Sequence, residues 1–347
     1  MKSWCSLDET LEGRRVFLVF HWDADGVATA AMVARHLAGL GGVVEAAATP
    51  RIGSYSWTAI PKPPPGAELV AVLDYGIPGA DYDRYASETD KPLLVIDHHR
   101  VEPSRGGRVT YCNPVAEGMG GEEEYPSASM LAARLLGRRW GGDLFLAALG
   151  AVGDLAPFYD AGRPHPGLEA AKAYASQAGV KLGQLRDLAD RLDSCYRLLW
   201  GDCLVHAVKE AALNPYMLLD DHRLLEAQER SRKLLEEALA ELKSAGRVCG
   251  FEVYTLVMDA LVTSAVGRRL AATRPRDVVV LIHHIPSRRG GYVYVRGLSA
   301  DLSWLHREAR RRGLRAGGKT NVAVLEYSGD GPHEGLRLLE ELCGGRR

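Results

Sequence analysis

The stretch His21-Trp22-Asp23-Ala24-Asp25-Gly26 follows directly on the apolar run Val16-Phe17-Leu18-Val19-Phe20. An unbroken apolar run of this length reads as a strand buried on both faces, the kind found in parallel sheets. His21, Asp23 and Asp25 then emerge in alternation where that strand ends. Carboxylates stranded at the lip of a sheet are costly unless something positive binds them. The crevice at the carboxyl ends of the strands is also where open α/β sheets hold their ligands. A divalent cation is the natural partner.

The arrangement recurs. Leu69-Val70-Ala71-Val72-Leu73 runs into Asp74, and Leu93-Leu94-Val95-Ile96 runs into Asp97-His98-His99. A further acid, Asp154, follows Gly153 after the apolar stretch Leu144 to Val152, which reads as a buried helix. Carboxylate and imidazole donors without a thiolate suit manganese better than calcium or a structural zinc. Two such ions roughly 4 Å apart clamp the attacking and leaving oxygens of a phosphoryl displacement and lower the pKa of a shared water. Taken singly, each motif has a plainer reading: an acid capping the helix that begins near Val27, an acid in a turn, histidines at the surface. Four of them in order within the first 154 residues, each ending an apolar segment, favour one site.

The segments HWDADG, LDYG, IDHH and AVGD resemble the four motifs of the DHH phosphoesterase superfamily. The single-residue gaps between His21, Asp23 and Asp25 are more similar to the RecJ-type nuclease branch than to the pyrophosphatase or nanoRNase branches. The resemblance implies two Mn2+ ions, with Mg2+ or Co2+ as substitutes. It makes His21, Asp23 and Asp74 ligands of one ion, and Asp25, Asp74, His98 and Asp154 ligands of the other, with Asp74 bridging. It further implies that Asp97 orients a histidine and that His99 touches the scissile phosphate, so that both are catalytic. Nearly the whole chain is covered, because Arg296 and the loop Gly317-Gly318 resemble parts of the family's associated C-terminal domain. Arg296, Gly317, Gly318, Lys319 and Asn321 are therefore expected to bind substrate. Lys319 stands where that family loop usually has histidine, and it would hold phosphate as a point charge.

Composition is that of a two-domain enzyme: 347 residues, 46% of them hydrophobic, are enough for two separate cores. A net charge of −1 excludes a strong whole-molecule pull on long nucleic acid, so any basic surface is local. Arg307, Arg310, Arg311, Arg312, Arg315 and Lys319 crowd about the Gly317-Gly318 loop, although a solvated helix face explains the arginine run equally well. Neither a transmembrane segment nor a secretory signal is read, and a cytoplasmic protein without a membrane partner is expected. The six cysteines form no CxxC pair and are expected to be free thiols.

The fold class expected is α/β, a doubly wound parallel-sheet domain joined by a helical linker to a smaller α/β domain. Residues 1–200 form the first, 201–246 the linker and 247–347 the second. In the first, strands are read at 16–20, 69–73 and 93–96, with helices from Gly26 to Leu40, from Ser127 to about Arg138, and from Gly141 to Asp154. After Gly246, strands are read at 248–258, 278–284, 292–296 and 322–327, and helices at about 260–272, 301–312 and 333–342. The pair His283-His284 ends a strand without an acid before it and is set aside. Substrate would lie in a cleft between the domains.

Three functions fit these residues. The first is a manganese-dependent exonuclease hydrolysing single-stranded DNA or RNA from an end. The second is a nanoRNase or a phosphodiesterase for cyclic or linear dinucleotides, favoured by modest length and near-neutral charge. The third, a non-catalytic subunit among replication or repair partners, ranks last because every ligand position is filled.

Overall fold

Arg15–Phe20 is the strand on which the first sheet is built, and Val16 to Phe20 are all buried. The computed structural model describes residues 5–137, 141–274, 277–297, 300–319 and 321–344. These divide into two compact units, Met1–Gln228 and Glu229–Arg347, with the boundary inside the stretch read as a linker.

The first unit runs α1 (Leu7–Leu11), β1 (Arg15–Phe20), α2 (Ala24–Gly39), β2 (Val43–Ala48), β3 (Leu69–Leu73), α3 (Gly79–Thr89), β4 (Leu93–Ile96) and β5 (Val109–Cys112). Helices α4 (Ala128–Leu135), α5 (Gly141–Asp154), α6 (Ala156–Asp160), α7 (Pro166–Gln177), α8 (Leu182–Arg197) and α9 (Gly201–Leu213) follow, and α10 (His222–Ala240) crosses the boundary. The helix expected to reach about Arg138 is α4, and Arg138 itself lies outside the described residues. Every pairing in the sheet is parallel, in the order β2-β1-β3-β4-β5. The chain leaves β1 toward one edge and returns on its other side, so the topological switch falls at β1 and β3. Strands β2 and β5 lie outside the sequence reading because both are only partly buried, without the apolar run that marks β1, β3 and β4.

The parallel ladder continues one residue beyond each central strand. The N–H of His21 donates to Leu73 O at 3.0 Å, that of Asp74 to Ile96 O at 2.8 Å, and that of Asp97 to Cys112 O at 3.2 Å. Backbone pairing thereby brings the residue after each apolar run to one edge. Helix α2 enters this edge through Asp23, whose carboxylate caps it by accepting the Gly26 N–H at 3.1 Å. Only glycine fits at 26, because a Cβ there would lie 2.2 Å from His21 O.

The second unit carries a mixed sheet in the order β10-β11-β9-β8-β7-β6. Its elements are β6 (Lys243–Val248), β7 (Phe251–Val257), α11 (Thr263–Thr273), β8 (Val279–Ile285), β9 (Gly290–Arg296), α12 (Ser303–Arg311), β10 (Ala316–Lys319), β11 (Val322–Ser328) and α13 (Pro332–Gly344). The strand expected over 248–258 is broken: Cys249 at φ 57° and Gly250 at φ 82° form a two-residue hairpin turn between β6 and β7. The Gly317-Gly318 segment, read as a loop, is an edge strand antiparallel to β11. An edge strand needs ladder bonds on one side only, which two glycines supply.

The expectation of free thiols is overturned. The pairs Cys5–Cys112, Cys195–Cys203 and Cys249–Cys343 are disulfides, with Cα atoms 5.7, 5.9 and 6.1 Å apart. Two of these join residues 107 and 94 positions apart, and sequence alone gives no connectivity at that range. Among the described residues, no helix is long and apolar enough to cross a membrane.

Candidate metal centre

Three groups of donor atoms meet at the carboxyl edge of the parallel sheet: His21 with Asp23 and Asp74, Asp25 with His98 and Asp154, and Asp74 with His98 and His99. Within each group the candidate donor atoms lie within 4.8 Å of one another. The structure thus brings together all six residues read as metal ligands, with His99 beside them.

Asp74 stands between the groups. Its Oδ2 is 3.8 Å from His21 Nδ1, while its Oδ1 is 3.5 Å from His98 Nε2 and 3.9 Å from His99 Nδ1. Its backbone is left-handed at φ 58°, which costs a non-glycine residue on the order of 1 kcal/mol or more and persists only where the surroundings enforce it. Here the N–H bond to Ile96 O fixes the turn that swings the carboxylate inward. Asp74 is 1% exposed, and its Oδ1 has no hydrogen-bond partner among the described residues.

Asp25 is anchored differently. Both carboxylate oxygens accept backbone N–H groups at the start of α4, Oδ2 from Ala128 at 2.6 Å and Oδ1 from Ser129 at 3.0 Å. The positive end of the α4 dipole favours the charge, and each oxygen keeps a lone pair for a cation. Gly150 of α5 lets this packing occur, because a Cβ there would meet Asp25 Oδ1 at 2.1 Å and Ser129 Oγ at 2.2 Å. Asp154 ends α5, where the helix dipole opposes a negative charge. Its Oδ2 lies 3.0 Å from His98 Nε2.

The electrostatics are those of carboxylates crowded together out of water. Burial, then the neighbouring carboxylates of Asp25 and Asp23, hold Asp74 well above the usual carboxylate range. Burial and the Asp154 charge push Asp25 up to about 6. Burial opposes charge on His21 too, but the Asp23 carboxylate, 2.8 Å from Nδ1, outweighs it and raises the imidazole. Oxygen and imidazole donors, no thiolate, and a buried carboxylate oxygen left unpartnered fit divalent cations of borderline hardness.

Other contacts set the imidazoles. His98 directs Nδ1 to the carbonyl of Tyr125 at 3.2 Å, leaving Nε2 for the acids. His99 directs Nδ1 to Asp97 Oδ1 at 2.7 Å. Asn113 Nδ2 donates to His99 O at 2.9 Å. Tyr55 Oη is 3.3 Å from His21 Nε2. Tyr55, Asn113 and Tyr125 were not singled out in the sequence, for they follow no apolar strand and carry no metal-ligand pattern.

The residues expected to bind substrate belong to the second unit. Arg296 closes β9, buried, opposite Val322 of β11, which also pairs with Lys319 of β10. Its Nη1 donates to Tyr294 Oη at 3.0 Å. Gly317 and Gly318 lie in β10, and Asn321 precedes β11 and accepts the Gly297 N–H at 3.2 Å. The Lys319 side chain lies outside the described residues. Several arginines around them are already engaged: Arg311 and Arg312 share Glu308, Arg315 faces Glu326, and Arg310 donates to Ala316 O.

Comparison with solved structures returns the same architecture over nearly the full chain. A DHH-domain structure described as a member of a family of ribosomal proteins aligns over 98% of this chain and 87% of its own, at a TM-score of 0.66 and 16% identity. A manganese-bound exonuclease RecJ aligns over 98% and 93%, at 0.62 and 21%. RecJ of Thermus thermophilus with Mn2+ aligns over 97% of this chain but only 53% of its own, at 0.65 and 20%. At these identities the likeness bears on the fold alone. Comparison with curated protein sequences finds no match. The N-terminal domain of the DHH family matches residues 15–150, a span that holds His21, Asp23, Asp25, Asp74, Asp97, His98 and His99.

Proposed function

We propose that this protein is a manganese-dependent phosphodiesterase that hydrolyses single-stranded nucleic acid from an end. The observation carrying the reading is Asp74, buried and turned by a left-handed backbone so that its two oxygens face two separate donor groups. His21, Asp23 and Asp74 would hold one ion, and Asp25, Asp74, His98 and Asp154 the other. Bound there, the ions would supply Lewis acidity for both the attacking and leaving oxygens and a water of lowered pKa.

The chain's own residues do the positioning. Asp97 accepts from Nδ1 of His99, which keeps the proton on that nitrogen and leaves the Nε2 lone pair of a ring one-third exposed. From there His99 meets a phosphate oxygen. Asp97 is held below the usual carboxylate range: burial works against its charge, but His99 and the hydrogen bonds it accepts win. It therefore stays ionised and keeps His99 oriented through turnover. In the second unit, Arg296 and the β10–β11 edge with Gly317, Gly318, Lys319 and Asn321 would grip the substrate's phosphates. The single-residue gaps between His21, Asp23 and Asp25 support the polymer reading over a dinucleotide one.

Product analysis with Mn2+ tests this, using end-labelled DNA and RNA single strands of increasing length beside linear and cyclic dinucleotides. Progressive shortening of the long strands is the expected result. Turnover confined to substrates a few nucleotides long would move the protein to dinucleotide or short-oligonucleotide hydrolysis, and no turnover of any would sink the reading.

A further inference from the structure

An aromatic group encloses the outer side of His21. Trp22 is buried with its ring centroid 4.4 Å from that of His21. Tyr75, the residue after Asp74, is buried, and its hydroxyl accepts the Ser56 N–H at 3.0 Å while donating to the carbonyl of Ser54. The residue next to Asp74 therefore pins both neighbours of Tyr55. The Tyr55 ring lies on Tyr75 with centroids 5.9 Å apart and planes 12° from parallel, and it meets Trp22 edge-on at 5.3 Å. A tyrosine 46% exposed in a loop is thus located by two ring contacts and by its pinned neighbours, and its hydroxyl ends 3.3 Å from His21 Nε2.

A neutral imidazole has one N–H and one lone pair, and the partner of one nitrogen decides the role of the other. Nδ1 of His21 faces two carboxylates, Asp23 Oδ2 at 2.8 Å and Asp74 Oδ2 at 3.8 Å. A cation among those oxygens needs the lone pair on Nδ1, which leaves the proton on Nε2. The group that meets that proton is the phenol oxygen of Tyr55. The two ligand histidines would then present opposite nitrogens, His21 through Nδ1 and His98 through Nε2, each set by what the outward nitrogen touches.

We propose that Tyr55 is a positioning residue of this centre: its hydroxyl oxygen accepts the Nε2–H of His21 and commits Nδ1 to the cation that Asp23 and Asp74 face. The assignment rests on the metal-centre reading above.

The test compares wild type with Tyr55→Phe, which keeps the stacked ring and removes only the acceptor, and with Tyr55→Gln, which restores an acceptor. Calorimetric titration with Mn2+ reads affinity, and 15N spectra of the imidazole rings read the tautomer with Zn2+ as a diamagnetic stand-in. Tyr55→Phe should bind the weaker-held ion about 10- to 100-fold less tightly, and Tyr55→Gln should recover part of the loss. In the wild type, His21 should carry its proton on Nε2. Equal affinities in wild type and Tyr55→Phe, or a proton on Nδ1 with the cation bound, would overturn the assignment. If wild type takes up no cation, the metal reading itself fails and the assignment falls with it, whereas cation uptake with equal affinities in wild type and Tyr55→Phe refutes Tyr55 alone.

Discussion

Nδ1 of His99 lies 2.7 Å from Oδ1 of Asp97, and that same oxygen accepts the backbone N–H groups of His98 at 2.8 Å and of His99 at 3.2 Å. One fully buried carboxylate thus fixes both the turn after β4 and the ring that leaves it. Asp97→Asn keeps the shape but removes the charge that holds the Nδ1 proton in place. Turnover should fall about 10- to 100-fold with little change in KM. Steady-state kinetics on an end-labelled strand measures both, and a rise in KM at unchanged kcat would show that Asp97 acts on binding instead.

Asp74→Asn should abolish nearly all activity yet leave the protein folded. Without a cation, Asp74 is one of five carboxylates packed at the sheet edge, so removing its charge relieves repulsion and should leave the metal-free protein as stable as wild type or more so. Added Mn2+ should stabilise the wild type by about 2.7 kcal/mol at a hundredfold excess over Kd, and the variant far less. Thermal unfolding with and without Mn2+ reads this difference. Equal metal-induced gains in both proteins would remove Asp74 from the ligand set.

Gly26→Ala tests why the motif ends in glycine. Residue 26 has ordinary helical backbone, so the demand is one of space: the new methyl would sit 2.2 Å from His21 O. Either α2 moves or His21 does. A loss of about 1 to 3 kcal/mol in urea unfolding is expected, together with weakened metal binding, since the displaced segment carries His21, Asp23 and Asp25. Full stability and unchanged metal affinity would show that the contact relaxes freely.

The acids of this centre were legible because each follows an apolar run, and a buried strand's end is fixed by where its hydrophobic residues stop. His21, Asp74 and Asp97 inherit their places from the parallel ladder. What sets their chemistry was not legible. Tyr55 reaches His21 from a loop after β2, the carbonyl of Tyr125 reaches His98 from 27 residues away, and Asn113 supports His99 from the end of β5. Such partners are chosen by tertiary packing and leave no local pattern. The disulfides escaped for the same reason, and β10 because two glycines in a row read as a turn when no partner strand is in view.

His283 gives the second unit a pH signature of its own. The ring is neutral and fully satisfied: Thr263 Oγ1 lies 2.7 Å from Nδ1, and Nε2 donates to Met258 O at 3.1 Å. Burial, with His284 and Arg288 close by, pushes its pKa down to about 4 against the carbonyl of Met258 and the carboxylate of Asp259. The unfolded chain therefore takes up a proton near pH 6.5 that the folded ring refuses until about 4. The contribution is fully present above pH 6.5 and is lost as pH falls through that window, by up to about 3 kcal/mol. His283→Gln cannot titrate, so subtracting its urea-unfolding curve from that of wild type isolates this group from the acid cluster of the first unit. The difference should shrink as pH drops from 6.5 toward 4. Parallel curves across that range would mean that His283 charges as readily in the folded protein as in the unfolded chain.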